Sequence, residues 1–225
     1  MHPENHLTHN WLIKKFVNDK VRSHLKNLNG TVIDLGCGTR PYEADIAKHV
    51  DKYIGVDWNN TLHGLYADVI ADLNKPLPFG DGSIDCIVTF EVIEHLAEPG
   101  LMLQEACRIL RSGSTLLLSA PFQWWLHEAP WDYQRFTRYG LEYQFRKAGF
   151  EIVSIEETSG FWSMWILKLN YQLIRLIRGP RWLRTIIRFC LIPFWWMGQI
   201  IAPLLDSVWK EDKETAGYFV MAKKP

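Results

Sequence analysis

The sequence predicts an α/β protein built on a mostly parallel, seven-stranded sheet with helices on both faces. Seven short apolar runs recur along the chain, and helical patterns separate most of them. These runs are continuous and do not alternate with polar residues, which is typical of parallel strands buried on both faces. With 225 residues, of which 48% are hydrophobic, the chain is long enough for one sizeable core and an elaboration.

The expected elements follow in chain order. An opening helix is expected over residues 10–29, because apolar residues keep helical spacing there until Gly30. Further helices are expected after the first strand, near residues 101–110 and near residues 137–148. The strands are expected at TVIDL (31–35), YIGVD (53–57), DVIAD (68–72), IDCIVTF (84–90), STLLLSA (114–120), FEIVSIEE (150–157) and AGYFVMAKK (216–224). The core therefore comprises residues 1–158 and, as its last strand, residues 211–225.

Charge and cysteine usage limit the classes of function. The chain has 25 basic and 25 acidic residues, whereas a general nucleic-acid binder needs an excess of Lys and Arg, so no nucleic-acid partner is expected. The N-terminal region carries charges throughout and has no apolar signal-peptide core. The four cysteines show no CxxC spacing, and no metal-ligand cluster is recognisable. A cytoplasmic protein with reduced thiols and no metal is expected.

The first strand ends in a turn with two glycines, VIDLGCGTR (32–40). Gly36 and Gly38 lack Cβ, so a ligand can approach the backbone at the carboxyl edge of the sheet, where open α/β folds bind ligands. The dinucleotide fingerprint needs a third glycine where this chain has Pro41, which disfavours a pyrophosphate. Asp57 closes the second strand about twenty residues later, where it is either a ribose-binding carboxylate or a cap in a loop.

Four motifs together resemble the class I S-adenosylmethionine-dependent methyltransferases, in particular the branch with many small-molecule, quinone and glycan methyltransferases. They are VIDLGCGT, YIGVD, ADLNKPLPFGDGSIDCIVTFEVIEHL and ACRILRSGSTLLLSAP, within residues 32–157. The resemblance implies a Rossmann-like fold and S-adenosylmethionine as cofactor. It also implies site residues: Asp34, Gly36 and Gly38 at the methionine end, Asp57 at the ribose, Asp72 at the adenine amino group, Leu73 against the adenine ring, and Glu91 and His95 beside the cofactor.

Two residues of these motifs have open roles. Family members often have a small residue where this chain has Arg40, which either reshapes the turn, places a cation at the pocket mouth, or points to solvent. His95, in EVIEHL, either organises the pocket floor or acts as a base.

The segment after the fifth strand, PFQWWLHEAPWDYQRFT (121–137), is too polar for a core and too aromatic for an ordinary loop. It is therefore predicted to form the acceptor site. The methyl group of a sulfonium is already activated, so transfer needs an acceptor atom held in line and relieved of its proton. A histidine suits that task, and a carboxylate can orient it. We predict His127 as the base and Asp132 as its orienting residue, with Trp131, Tyr133 and Arg135 shaping the pocket; the alternative is a rigid lid in which His127 and Asp132 only satisfy each other.

Residues 159–210 are expected to form a basic, aromatic helical insertion. Before Asp206 they hold five of the eleven tryptophans and six basic residues, but no acidic one. Two amphipathic helices are expected on either side of the Gly179 and Pro180 pair, a composition typical of segments that lie in a membrane interface. The alternative is a lid or a dimer face. The basic residues are Lys168, Arg175, Arg178, Arg181, Arg184 and Arg188.

The uncharged run FCLIPFWWMGQIIAPLL (189–205) approaches the length of a membrane span. The last strand must return to its sheet, so a single span is not expected. Pro193, Gly198 and Pro203 are expected to break the run into short pieces.

The predicted function is methyl transfer from S-adenosylmethionine, at an oxygen, to a lipid-soluble or lipid-linked acceptor. The protein is expected to be peripheral on the inner, cytoplasmic face of the membrane. Two alternatives remain: a soluble small-molecule methyltransferase whose insertion is a lid or dimer interface, and a non-catalytic membrane-associated scaffold with the same fold.

Overall fold

The computed structural model describes residues 1–60, 64–211 and 213–225 and contains a seven-stranded mixed sheet. The strands are β1 (Thr31–Leu35), β2 (Lys52–Asp57), β3 (Val69–Ile70), β4 (Ile84–Phe90), β5 (Leu110–Pro121), β6 (Glu151–Glu157) and β7 (Gly217–Lys223). The helices are α1 (Trp11–His24), α2 (Glu43–Ile46), α3 (Pro99–Ile109), α4 (Arg138–Lys147), α5 (Phe161–Leu176) and α6 (Arg181–Val208). Short 3-10 turns occupy Leu25–Asn27 and Ile93–His95.

The strand order is β3-β2-β1-β4-β5-β7-β6, with β7 antiparallel to both of its neighbours. This confirms the predicted fold class and the helical insertion before the last strand. The chain runs outward from the sheet centre in one direction through β1, β2 and β3, and in the other through β4 and β5. The loops after β1 and β4 therefore diverge, which leaves a crevice at the carboxyl ends of these strands, where such folds bind ligands.

Alternate side chains of β1 belong to hydrophobic clusters on opposite faces of the sheet. Ile33 and Leu35 pack in a cluster with Leu103 of α3 and Phe145 of α4, and none of these four side chains is exposed. Val32 faces the other way, in a cluster with Val21 of α1. Burial on both faces explains the continuous apolar runs of the strands. The rigid sheet fixes the positions of the loops at its carboxyl edge.

The insertion helices α5 and α6 pack on each other and on the N-terminal part of the chain. Ile166, Leu167 and Ala202 form a buried cluster with Trp11 and Leu12. Buried polar side chains fix the same contact. Gln199 accepts a 2.9 Å hydrogen bond from the backbone N–H of Leu12 and donates one of 3.0 Å to the carbonyl of Thr8, and Trp195 donates one of 3.0 Å to the carbonyl of Leu7.

The prediction that Pro193, Gly198 and Pro203 break the apolar run is wrong, because α6 continues through all three as one 28-residue helix. Each proline removes one N–H from the helical ladder and crowds the carbonyl four residues before it, and these two prolines stand about three turns apart. Packing of Trp195, Gln199 and other residues holds the turns between them. Among the described residues, α6 alone is long and apolar enough to cross a membrane, and little of it is buried.

One side of α6 is an exposed apolar stripe, which we call the outer face. Its members recur every third or fourth residue: Trp182, Ile186, Phe189, Pro193, Met197, Ile200, Leu204 and Val208. Phe189 is 74% exposed and Leu204 is 61% exposed. Arg181, Arg184 and Arg188 lie about half a turn away from the outer face. The apolar residues of α5 do not form one exposed face, since Ile166 is buried whereas Trp165 and Leu176 are exposed.

Candidate active site

A cavity of about 490 Å³ opens at the carboxyl ends of β1, β2 and β4. All eight residues predicted to bind the cofactor line it: Asp34, Gly36, Gly38, Asp57, Asp72, Leu73, Glu91 and His95. Its wall also includes Trp131 and Glu128 of the predicted acceptor segment. The structure therefore brings the cofactor motifs and part of the acceptor segment to one cavity.

The glycine turn leaves backbone open to this cavity. The N–H groups of Gly36 and Cys37 both donate to the carbonyl of Val56, which ties the turn to β2. Gly36 has φ +74°, and a Cβ there would lie 2.5 Å from a methyl carbon of Val92. Gly38 has φ +52°, and a Cβ there would meet nothing within 4 Å. Gly36 is thus required by the packing of the turn, whereas Gly38 presents bare backbone to a ligand.

Asp57 holds the turn in place from the end of β2. One of its carboxylate oxygens accepts a 2.8 Å hydrogen bond from the N–H of Gly38, and the other accepts one of 2.8 Å from Trp58. Each oxygen has a second lone pair, so the carboxylate can still accept ribose hydroxyls. Both predicted roles, ligand binding and local capping, are compatible with this geometry.

The other acids that line the cavity differ in their surroundings. Burial raises the pKa of Asp34 to about 7, although the hydroxyl of Tyr53 donates a 2.5 Å hydrogen bond to it. Burial also tends to raise the pKa of Asp72, but hydrogen bonds from the backbone and amide of Asn74 and the nearby Lys75 lower it overall. Asp72 thus stays an ionised acceptor at neutral pH, as hydrogen bonding to an adenine amino group requires.

Of the three roles predicted for Arg40, its position agrees with the first, a contribution to the turn. Its guanidinium makes two hydrogen bonds with Asp68, of 3.1 and 2.7 Å, and lies 5.0 Å from the ring centroid of Tyr53. Arg40 therefore braces the turn from outside the cavity and is neither a cation at its mouth nor a free solvent-facing side chain.

His127, Asp132 and Arg135 come together in the acceptor segment. The Asp132 carboxylate accepts a 2.8 Å hydrogen bond from the backbone N–H of His127 and lies 3.2 Å from its Nδ1. Arg135 donates to the same carboxylate at 2.7 Å. Burial alone would raise the pKa of Asp132, but hydrogen bonds from Arg135 and His127 lower it to about 2. Burial lowers the pKa of His127, which keeps its imidazole neutral at pH 7.

The same segment places its members at different depths. His95 lines the cavity and its Nδ1 lies 3.0 Å from the carbonyl of Trp131, while His127 stands behind it, with the two ring centroids 4.9 Å apart. Tyr133 is 52% exposed and contributes a backbone N–H to the carbonyl of Glu94, away from the cavity wall. Trp131 shapes the cavity directly, whereas Tyr133 does not.

Several residues at the site were not predicted from the sequence. His2 and Lys14 line the cavity because the N-terminal segment folds across it, which no local pattern indicates. Trp58 also lines it and meets Trp131 edge to face, with centroids 5.3 Å apart. Glu94 is wholly buried, and burial followed by the charge of Glu91 raises its pKa well above the usual range.

The structure brings together three potential metal ligands that the sequence did not indicate. Potential ligand atoms of Glu94, His95 and His127 all lie within 4.8 Å of one another. Glu94 and His95 are neighbours in EVIEHL, but His127 follows β5, so only the fold brings the three together. The adjacent acid and histidine were the only sequence signal.

The cavity suits S-adenosylmethionine in shape and in donor set. Bare backbone at Gly38 accommodates the methionine end, Asp57 offers a ribose acceptor, and Leu73 is a buried apolar surface for the adenine ring. When bound there, S-adenosylmethionine supplies an electrophilic methyl group.

Comparisons with known proteins agree with this fit. The sequence profile of the family described as "Methyltransferase domain" matches residues 12–155. A probable S-adenosylmethionine-dependent methyltransferase of Mycolicibacterium smegmatis is 35% identical over 97 residues, which cover 40% of this chain and 37% of that protein. The matches to curated relatives span no more than 39% of the relatives' own lengths.

Solved structures show the same fold at low identity. An S-adenosylmethionine-dependent methyltransferase from Archaeoglobus fulgidus superposes with a TM-score of 0.60 at 18% identity, covering 94% of each chain. The cyclase SpnF superposes with a TM-score of 0.59 at 18% identity, covering 93% of this chain and 81% of that one. The profile match extends over more than half of the chain and includes every residue that lines the cavity except His2. The chain belongs to the class I S-adenosylmethionine-dependent methyltransferase family.

Proposed function

We propose that the protein transfers a methyl group from S-adenosylmethionine to an oxygen of a lipid-soluble or lipid-linked acceptor at the cytoplasmic face of a membrane. The observation that carries this proposal is the outer face of α6, an exposed apolar stripe that continues from Trp182 to Val208. A soluble protein gains nothing from leaving such a stripe exposed, and surfaces of this kind are typical of membrane or protein interfaces.

The insertion contacts the acceptor segment directly. The guanidinium of Arg175 in α5 lies 4.8 Å from the ring centroid of Trp125, and the Tyr171 and Trp125 rings are 5.7 Å apart. Lys168 donates a 2.7 Å hydrogen bond to the side chain of Gln123. These contacts support a route for the acceptor from the membrane along α5 to the acceptor segment, whose residues Glu128 and Trp131 line the cavity.

The chemistry requires one bond exchange and one proton transfer. The acceptor oxygen forms a bond to the methyl carbon while the carbon–sulfur bond breaks, and the sulfur keeps that electron pair. The proton of the acceptor hydroxyl passes to a base, which we predict to be Nε2 of His127, because its Nδ1 lies close to Asp132 and to the Trp125 carbonyl. Asp132 is a positioning residue in this scheme.

A labelling experiment tests the proposal. The protein is incubated with S-adenosylmethionine carrying a labelled methyl group, together with either a membrane lipid extract or a water-soluble extract of cells. Label in the organic phase, on an oxygen by mass spectrometry, is the expected result. Gly38→Ala, which places a methyl group in the cofactor cavity, is the negative control.

The other outcomes favour the alternatives. Label confined to a water-soluble product contradicts a lipid acceptor and favours a soluble methyltransferase whose insertion is a lid or dimer face. Intact cofactor binding with no labelled product in either extract favours a non-catalytic scaffold. Methyl transfer itself has to be measured, because the same fold occurs in SpnF, which is described as a cyclase.

A further inference from the structure

We propose that Glu94, His95 and His127 bind a divalent first-row transition-metal ion at the acceptor side of the cavity. The three residues come from the turn after β4 and from the segment after β5, which are adjacent strands. Their potential ligand atoms lie within 4.8 Å of one another, and Oε1 of Glu94 lies 3.7 Å from Nε2 of His95. Ligands about 2.1 Å from one ion stand roughly 3 to 4 Å apart, so small side-chain rotations suffice to close the site.

Both histidines are oriented as metal ligands usually are. Nδ1 of His95 lies 3.0 Å from the carbonyl of Trp131, and Nδ1 of His127 lies 3.2 Å from the carbonyl of Trp125. An N–H at Nδ1 that donates to a carbonyl leaves the lone pair on Nε2, the atom that binds a metal. The Asp132 carboxylate, 3.2 Å from Nδ1 of His127, supplies the second contact that commonly supports such a ligand.

Glu94 gives an independent reason for a cation here. Its side chain is wholly buried, and neither carboxylate oxygen accepts a hydrogen bond from another residue that the structure describes. Burial of a carboxylate without a partner is costly, and native proteins almost always compensate it. The nearby Arg135 acts on Glu94 through its charge but makes no hydrogen bond to it, because its guanidinium bonds Asp132 and the carbonyl of Trp125. A metal ion bound by Glu94 would compensate the charge.

The donor set indicates the kind of ion. Two imidazole nitrogens and one carboxylate favour Mn²⁺, Fe²⁺, Co²⁺ or Zn²⁺ over Mg²⁺ and Ca²⁺, which prefer oxygen ligands. Three protein ligands leave further positions for water or for a substrate. His95 lines the cavity and Glu128, which lies 3.8 Å from it, does too, so those open positions face the space where an acceptor would bind.

Such an ion would also define the acceptor, a step that rests on the proposed function. A hydroxyl bound to a divalent cation loses its proton more readily, so the ion would activate the oxygen that attacks the methyl group. His127 would then be a ligand and not the base, and the released proton would pass to water in the cavity. The acceptor class is a hydroxyl compound with a second oxygen placed to chelate the ion, such as a vicinal diol or an ortho-dihydroxy ring.

Metal binding is tested without any acceptor. Metal-free protein is titrated with Mn²⁺, Zn²⁺ and Mg²⁺ by calorimetry, and bound Mn²⁺ is counted by electron paramagnetic resonance. We expect one site that prefers Mn²⁺ or Zn²⁺ to Mg²⁺, and affinity at least about tenfold weaker in Glu94→Gln and in His127→Asn. His49→Asn, on an exposed histidine remote from the cluster, is the matched control and should bind like wild type.

Thermal unfolding guards against misfolded variants. Glu94→Gln removes a buried charge and should unfold at the same temperature as metal-free wild type or higher, while losing the rise in melting temperature that the metal gives the wild type. Absence of a stoichiometric site in wild type, or unchanged affinity in folded Glu94→Gln, would overturn the proposal. If no stoichiometric site is found while methyl transfer persists, the metal site is refuted and the proposed function stands. If the metal binds but no methyl transfer is found, the metal site stands and the proposed function is refuted.

Discussion

Asp206, near the end of α6, accepts a 2.8 Å hydrogen bond from the backbone N–H of Trp162, in the first turn of α5. Its other oxygen accepts one of 3.1 Å from Ser163. The carboxylate therefore caps α5 from the far end of the insertion, so the insertion begins and ends at the same point of the domain. The chain returns there to form β7 between β5 and β6. The two ends of the insertion therefore lie next to each other, where the chain leaves the sheet and returns to it.

Removing this cap should loosen the insertion. Asp206→Ala is expected to lower the free energy of unfolding by about 1 to 2 kcal/mol, because two N–H groups at a helix N-terminus lose both a hydrogen-bond acceptor and a favourable charge. Urea unfolding followed by circular dichroism measures the change. Ser207→Ala, next to it on an exposed side of α6, should be nearly neutral. Equal stability of the two variants would contradict the capping role.

The glycine turn offers a matched test of cofactor binding. Gly38 and Gly113 both have positive φ, and in both a Cβ would meet nothing within 4 Å, but only Gly38 lines the cavity. Alanine at either position should cost about 1 kcal/mol of stability through backbone strain. Only Gly38→Ala should weaken S-adenosylmethionine binding, by tenfold or more in calorimetry, since its methyl group occupies ligand space. Equal S-adenosylmethionine affinity of the two variants would show that the cofactor does not bind at this turn.

The Asp132 carboxylate predicts a pH dependence of stability. Its pKa is about 2 in the folded protein, below the value near 4 of an unfolded chain, and its side chain is 1% exposed. A lowered pKa stabilises the fold above the unfolded pKa, and that stability is lost as pH falls toward 2. Asp132→Asn should therefore be about 2 kcal/mol less stable at pH 7, and the difference should shrink to about half at pH 3. A gap that stays constant with pH would contradict it.

The fold was predictable because its signals are local and repeated. Continuous apolar strands such as β4 and β5 follow directly from burial on both faces, and the turn at Gly36 and Gly38 marks the ligand edge. Helix α6 was not, because propensity penalises Pro193 and Pro203 although packing on α5 and α1 outweighs the penalty. Tertiary contacts decided that element, and no single-sequence pattern reports them.

For the candidate site, too, local sequence patterns were informative and contacts between distant segments were not predicted. Residues within one motif, such as Asp34 and Gly38, line the same cavity. Pairings between distant segments were not predicted: His2 reaches the cavity because the N-terminal segment folds over it, and Glu94 meets His127 because β4 and β5 are adjacent. Spacing in the chain carries no record of such contacts unless two residues share a motif.

The outer face of α6 predicts how the protein binds membranes. Wild type should co-sediment with lipid vesicles mainly through the apolar stripe. Arg181, Arg184 and Arg188 lie about half a turn away from the stripe, so they attract the membrane surface only from the other side of the helix. Anionic vesicles should bind better than neutral ones, with the difference lost at high salt, while the apolar contribution remains. Replacing the three arginines with Glu should abolish only the preference for anionic lipid.

Substitutions on the stripe separate the two contributions. Phe189→Glu should weaken binding to both vesicle types about tenfold or more, since burial of such a side chain is worth about 2 kcal/mol. Gln104→Glu adds the same charge at an exposed position of α3, away from α6, and should have a much smaller effect. If wild type binds neither vesicle type, and sedimentation shows a dimer that Phe189→Glu dissociates, then the outer face is an interface between two copies of the chain. That result would exclude the membrane from the proposed function.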